Sequence, residues 1–501
     1  MKRSKGGTPR RTAAWILAGG VAASALTVGA GPAQAKAPAR DCGTPGTPAA
    51  YRCAESGDLL DVTLGELHPT QSVLGYDEVY YKLGRYRSDK DAAAGGFNKR
   101  FDDWCEANGQ GETATAEPDA RLDDPSSFTC TVPVGQETPE TVAPMKTVVI
   151  GPGGVLYLTD GHHTLTSFLE SPDGGAATHV RLRVTDNFSR LSTAEFWKTM
   201  EAQKKVWLRD ENDRPITLNQ LPDRLGIANF HNDPYRSLVY FTRDIGYATP
   251  DNPSEFLEYY WGEWLRGSLD LGTSDLNGFP GYLDLVKKTS KAMVALGDQD
   301  PVASGKTAAD LGKLAEWNAG KKETSGEFAK LSKPITDAKP GKLAYALDFK
   351  ADVPATPACT TTVTGTRSGP LTVSRGVTCL DRALVNGPVT VLPGASLVSN
   401  GSTVKGPLSA AGARTLQLCG TQVNGPVAVT ASTGPVRLGG TGCTGNTFAA
   451  PVSLVGNGGG VQLSANSIGG PLACVANKPA PSDAGRPNQV RSVKTGQCAA
   501  L

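Results

Sequence analysis

The chain has little of what metal and thiol chemistry require. Its 501 residues include only five His and ten Cys. No Cys-x-x-Cys pair or tight Cys/His set occurs, which argues against a structural zinc site. Beyond Ala30 no apolar run approaches the ~20 residues that a membrane-spanning helix needs. Residues 351–501 contain no Trp, Tyr, His or Glu and a single aromatic, Phe448, so candidate catalytic groups are scarce there. A dominant charge of one sign is also missing, because the net charge is +1. That balance hides an asymmetry: residues 36–350 carry 35 basic and 46 acidic side chains, and residues 351–501 carry ten basic and three acidic. An acidic centre excludes a histone-like coat for nucleic acid.

What is present begins with an amino-terminal leader. Lys2, Arg3, Lys5, Arg10 and Arg11 precede the apolar run from Ala13 to Ala30, which ends at Ala33-Gln34-Ala35. This order describes a signal peptide cleaved so that the mature chain starts near Lys36, by general or twin-arginine export. A secreted or envelope-associated protein follows, with no membrane span in the mature chain. The cysteines lie entirely in the exported part, as an oxidising destination would favour. Sequential pairing is the simplest arrangement: Cys42–Cys53, Cys105–Cys130, Cys359–Cys379, Cys419–Cys443 and Cys474–Cys498. Spacing alone does not fix connectivity.

From about residue 358 the text is repetitive. Gly-Pro steps at Pro370, Pro388, Pro407 and Pro426 are 18, 19 and 19 residues apart, each followed by an alternating triplet such as Val389-Thr390-Val391. Short alternating strands at that period describe a right-handed β-solenoid with small aliphatics inside and Ser/Thr outside. Such a module suits a spacer or a surface that contacts a cell-wall or other extracellular ligand.

Residues 36–300 predict an α+β domain with a helical extension, and 301–357 a helical or linker segment. Strands are expected at Leu59–Leu67, Met145–Ile150, Val155–Leu158 and Thr178–Val184, the second and third joined by a Gly-rich turn. Helices are expected at Tyr76–Arg85, Phe97–Ala107, Tyr235–Ile245, Glu255–Arg266 and Tyr282–Leu296. Another, opened by the capping box Ser192-x-x-Glu195, runs through Trp207. Residues 108–140 read as loop.

Two segments carry chemistry. In Thr159-Asp160-Gly161-His162-His163 a strand turns sharply into a helix. The glycine permits close approach of a ligand, and the first amides of the helix suit an anion such as phosphate. The histidines can shuttle protons, and Asp160 can orient one, accept a proton or bind a metal. The second segment, Glu66-Leu67-His68-Pro69-Thr70-Gln71, joins a strand to a helix. Taken singly, each also has a purely structural explanation as a cap or a connection.

Together, Leu67-His68-Pro69-Thr70-Gln71, Gly75-Tyr76, Lys82, Val148–Gly154 and Asp160–His163 resemble the ParB/sulfiredoxin superfamily, in particular its ParB-like nuclease branch, over roughly residues 58–300. Asn232–Leu238 and Phe256–Trp264 resemble that branch's helical extension. The resemblance implies that Gly161, His162 and His163 hold a phosphate with Asp160 beside the reacting group. No Cys stands in the turn, which removes sulfiredoxin chemistry, and no basic DNA-recognition helix follows, which removes chromosome partitioning. Thr164 stands where the related kinases continue with Arg, and Gln71 near where they carry a catalytic Glu.

Phosphoester cleavage, with a nucleic acid or nucleotide as substrate, is what remains. Asp160, His162, His163 and Glu66 are the candidate catalytic residues. Gly161, His68, Thr70, Gln71, Lys82 and Arg236 are the candidate ligand contacts. A divalent metal on Asp160 and His163 is the alternative to metal-free chemistry. A ββα His-nuclease would need a closing His after Asn187, but the next is His231. The non-enzymatic alternative is a secreted or surface binding protein whose pocket holds a phosphate or sugar. In it the run Phe256, Tyr259, Tyr260, Trp261 and Trp264 stacks on the ligand, although that spacing more simply buries a helix.

Overall fold

The computed structural model describes residues 48–251 and 253–501. The expected leader and Cys42, with its proposed bond to Cys53, lie outside the described residues. At the heart of the first part is a five-stranded sheet of β1 (Leu59–Thr63), β2 (Leu67–Pro69), β3 (Thr147–Ile150), β4 (Leu156–Leu158) and β5 (His179–Asn187), in the order β1-β5-β3-β4-β2. Every residue of β3 is buried, which is why it reads as a continuous apolar run. It pairs antiparallel with β4 across the Gly-rich turn, and β4 pairs parallel with β2. The carboxyl ends of β2 and β4 therefore lie side by side, each leading into a helix.

Helices α1 (Tyr76–Tyr86), α2 (Lys99–Ala107), α3 (His162–Glu170), α4 (Thr193–Ala202), α5 (Pro234–Thr242), α6 (Leu257–Ser268), α7 (Phe279–Ala295) and α8 (Lys342–Ala351) complete this part. Strands and helices intermix around one core, so the domain is mixed α/β. The aromatic run of α6 packs inward, with Trp261 fully buried. Helix α8 crosses α1 so closely that a Cβ on Gly84 would lie 2.3 Å from the Tyr345 carbonyl oxygen. Leu343, Tyr345 and Phe349 thereby join the same core as Val79 and Leu83.

Three expectations change. The strand expected over Leu59–Leu67 is broken by a 3-10 turn at Leu64–Glu66, where Glu66 caps Thr63. The helix opened by Ser192 stops at Ala202; Lys204 adopts a left-handed φ of 56°, and the chain runs on so that Trp207 pairs with Gln71. The supposed loop contains a hairpin, Thr113–Ala116 with Phe128–Cys130, held to α2 by the Cys105–Cys130 disulfide.

Residues 361–496 form a parallel β-solenoid of about seven turns. One face follows the register Leu371–Val389–Leu408–Val427–Val452–Leu472, all buried. Thr372, Ser409 and Ala428 on the same strands point outward. Disulfides Cys359–Cys379, Cys419–Cys443 and Cys474–Cys498 join neighbouring coils. Buried asparagines satisfy the turns between strands. The Asn466 side chain accepts the Asn446 amide and donates to the Leu438 carbonyl and to Asn488. Asn457 and Asn477 repeat this arrangement at another corner. Each side chain closes backbone groups that would otherwise be buried without partners.

The solenoid packs on the first part through the loop before α5 and the end of α3. Arg224 donates to the Gly420 carbonyl at 2.6 Å, and Ala228 N–H to Thr444 Oγ1 at 3.3 Å. His231 lies between Glu211 and Asp381, 2.7 and 3.1 Å from their carboxylates. Among the described residues no helix is long and apolar enough to cross a membrane.

Candidate functional site

The turn after β4 and the turn after β2 meet at one cavity of about 520 Å³. Gly161 caps α3 at φ 99°, a conformation that costs glycine little, and a Cβ there would run into the Lys146 side chain. Leu165 is the first residue of α3 to donate along the helix, to the Gly161 carbonyl at 2.9 Å. Gly161, His162, His163 and Thr164, which precede it, line the cavity at the helix end where the macrodipole favours an anion. Thr70 Oγ1 donates to the Leu158 carbonyl at 2.7 Å and locks the two turns together.

Both histidines of the turn are buried and serve as acceptors. His162 Nε2 takes the Thr70 amide at 3.2 Å, and His163 Nε2 takes the Gly75 amide at 3.0 Å. Each imidazole is therefore neutral with its proton on Nδ1. Burial pushes His162 down to about 3. Burial, followed by the Arg236 charge, holds His163 well below its usual range although Glu78 lies 3.8 Å away. The geometry makes these rings struts between α3 and the segment joining β2 to α1.

Behind them lies a buried charge cluster. Arg236, 4% exposed, sits 3.0 Å from Glu78 and 3.4 Å from Glu258, with its guanidinium over the Tyr259 ring. Arg243 also pairs with Glu258. Burial pushes Glu258 up, but the two arginines outweigh it and hold the carboxyl at about 2. Although ion-paired, Arg236 has Nε and Nη1 without hydrogen bonds among the described residues. At the mouth, exposed Asp160 lies 3.6 Å from Lys146. Burial raises Glu255 there, with Lys205 opposing and Asp160 reinforcing the shift.

Of the residues singled out from sequence, Gln71, Lys82, Asp160, Gly161, His162, His163 and Arg236 all line this cavity. Gln71 donates to Tyr259 Oη at 2.6 Å. Lys82 is neutralised by Asp103 at 2.9 Å, which weakens it as a ligand contact. Three candidates do not line it: Thr70 is fully buried with its hydroxyl committed to the Leu158 carbonyl, and two lie elsewhere. Glu66 accepts from Thr63 N–H at 2.7 Å and from Tyr51 O–H at 2.9 Å, so capping occupies the carboxylate expected to be catalytic. His68 lines a separate cleft shared with the solenoid and rests against Tyr157.

Sequence reasoning missed Glu78, Lys146, Arg243, Glu255 and Glu258. Arg236, Tyr240 and Arg243 at helical spacing were a usable signal, since that spacing places them on one face. Asp160 and His163 do not form a metal pair in this geometry, because His163 Nε2 is committed to an amide. Among the described residues no cluster of three or more His, Cys, Asp or Glu has metal-ligand spacing.

Among curated proteins none matches the chain. Among solved structures, protein Atu1540 from Agrobacterium tumefaciens is 20% identical, with the match covering 48% of this chain and 93% of that one at a TM-score of 0.30. Residues 60–267, which hold the sheet, the cavity and its charge cluster, match the family described as "Putative ParB-like nuclease".

Proposed function

We propose that this cavity binds and cleaves a phosphate ester of a nucleic acid or nucleotide. The observation that carries the reading is the meeting, in one cavity, of the opening residues of α3 with a buried guanidinium that is ion-paired through Nη1 and Nη2 but whose Nε has no hydrogen bond among the described residues. Together they suit a tetrahedral oxyanion. Water attacks phosphorus, forming one P–O bond as the bond to the leaving oxygen breaks. Asp160 takes the proton from water, and Glu255, raised by its burial, supplies one to the leaving oxygen. The α3 amides, Lys146 and Arg236 stabilise the charge on the non-bridging oxygens. In this reading His162 and His163 fix the shape of the cradle by orienting the amides of Thr70 and Gly75.

The protein, incubated with single- and double-stranded DNA, RNA and nucleoside triphosphates with Mg²⁺, Mn²⁺ or EDTA, is expected to cleave at least one of them. Asp160→Asn should reduce the rate by about a hundredfold or more, the usual size of a lost general base. A second reading has specific support: both imidazoles are neutral and committed, which fits a binding module. Phosphate or pyrophosphate binding without turnover in any lane would establish that alternative and end the enzymatic one.

The same proposal places the protein outside the cell, with the solenoid facing an extracellular surface. Four disulfides support an oxidising environment. Amino-terminal sequencing of protein recovered from culture medium should begin near Lys36. Recovery only of intracellular chain that still starts at Met1 would refute export.

A further inference from the structure

Glu170, the last residue of α3, is an unexpected choice for its place. Its side chain is 2% exposed, and it stands at the helix end where the macrodipole disfavours negative charge. Its partners explain it. Oε1 accepts the Ile227 amide at 2.9 Å and the Thr444 hydroxyl, and Oε2 lies 3.4 Å from Arg486 Nη2. Arg486 is itself anchored, donating from Nη1 to the Gly440 carbonyl at 2.9 Å. Thr444 and Arg486 belong to the solenoid, so a buried ion pair joins the two parts of the chain at one end of α3.

The other end of α3 is the cradle. A helix of nine residues spans roughly 13 Å and moves as a rod. A second route runs beside it, because Tyr76 O–H donates to the Ile227 carbonyl at 2.9 Å, next to the Gly75 amide that His163 holds. Both routes from Glu170 therefore converge on the His163–Gly75 bond.

We propose that the solenoid is a positioning element of the anion site: Arg486 and Thr444 hold Glu170, and through α3 they set the direction of the amides at Gly161–Thr164. This inference rests on the reading of the cavity as an anion site. Arg486 and Thr444 are positioning residues and touch no reacting atom.

The test uses the full chain carrying Glu170→Leu/Arg486→Met, because replacing a whole buried pair by apolar groups is often near-neutral for stability. Two quantities are read: hydrogen exchange of the amides over residues 159–166, and calorimetric affinity for inorganic pyrophosphate. Exchange is expected to rise and affinity to fall, each by about tenfold, as coupling along a packed element allows. Thr444→Val should shift both in the same direction by a smaller factor, and it decides the matter if the double variant does not fold. A variant that changes only the unfolding midpoint, with exchange and affinity at parental values, overturns the proposal. If the parent binds no pyrophosphate, the anion-site reading fails, and unchanged or raised exchange still decides whether the clamp acts on α3.

Discussion

Arg236→Met is expected to destabilise the protein by about 3–5 kcal/mol, the usual penalty for stripping one partner from a buried ion cluster. The guanidinium is the nearest cation to Glu78, and with Arg243 it offsets Glu258. Methionine fills much of the volume but leaves Glu78 without a cation, and Glu258 with Arg243 alone, in a site from which water is largely excluded. Replacing Glu78 as well, in Arg236→Met/Glu78→Gln, should recover most of the loss, because the penalty comes from the uncompensated charge and Glu258 keeps Arg243 as its partner. Urea unfolding of the three proteins checks both statements. Equal midpoints for Arg236→Met and its parent would show that the guanidinium is not the counter-ion of this cluster. The single variant should also lose affinity for pyrophosphate, since Arg236 lines the cavity.

His231→Gln is expected to remove about 2–3 kcal/mol of stability, but only over part of the pH range. Burial and Arg382 oppose protonation of this imidazole. Hydrogen bonds to Asp381 and Glu211 outweigh them and raise it to about 9 from an ordinary value of 6.5. A raised folded-state pKa means that the folded protein binds the proton more tightly than the unfolded chain. The stabilisation is therefore complete below about pH 6.5 and is lost as pH rises through about 9. Its lower limit is the acid range in which Glu211, itself held at about 2, begins to take up protons in the unfolded chain. Parent and variant should thus differ most near pH 5.5–6.5 and converge above pH 9 in paired unfolding curves. A difference independent of pH would mean that His231 contributes packing and not charge. The bond joins β-structure before α5 to the solenoid, so the loss should appear at the contact between the two parts.

Much of this was legible in one dimension. Gly-Pro steps 18 and 19 residues apart describe coils, because each coil must return a strand to the same face. The turn Asp160–His163 was recognisable for a similar local reason: strand, glycine and helix cap are all set by neighbours in sequence. The break at Leu64–Glu66 was not legible, since alternation continues through it and only the capping of Thr63 by Glu66 interrupts the strand. Nor could the end of the helix at Ala202 be read, because Trp207 is drawn away to pair with Gln71, far back in the chain.

By itself, then, the sequence determined the kind of modules present, the place of the strand-to-helix turn and the family resemblance of residues 58–300. These depend on periodicity and on short-range turn chemistry. Tertiary structure alone decided what the chemically suggestive residues do. It turned His162 and His163 into buried acceptors, gave Glu66 to a cap, and assembled Glu78, Arg236 and Glu258 from three helices, with Arg243 from the end of α5, into one cluster. It also joined α3 to the solenoid through Glu170 and Arg486. Charge and proton affinity depend on burial and on partners distant in sequence, and only folding brings those partners together.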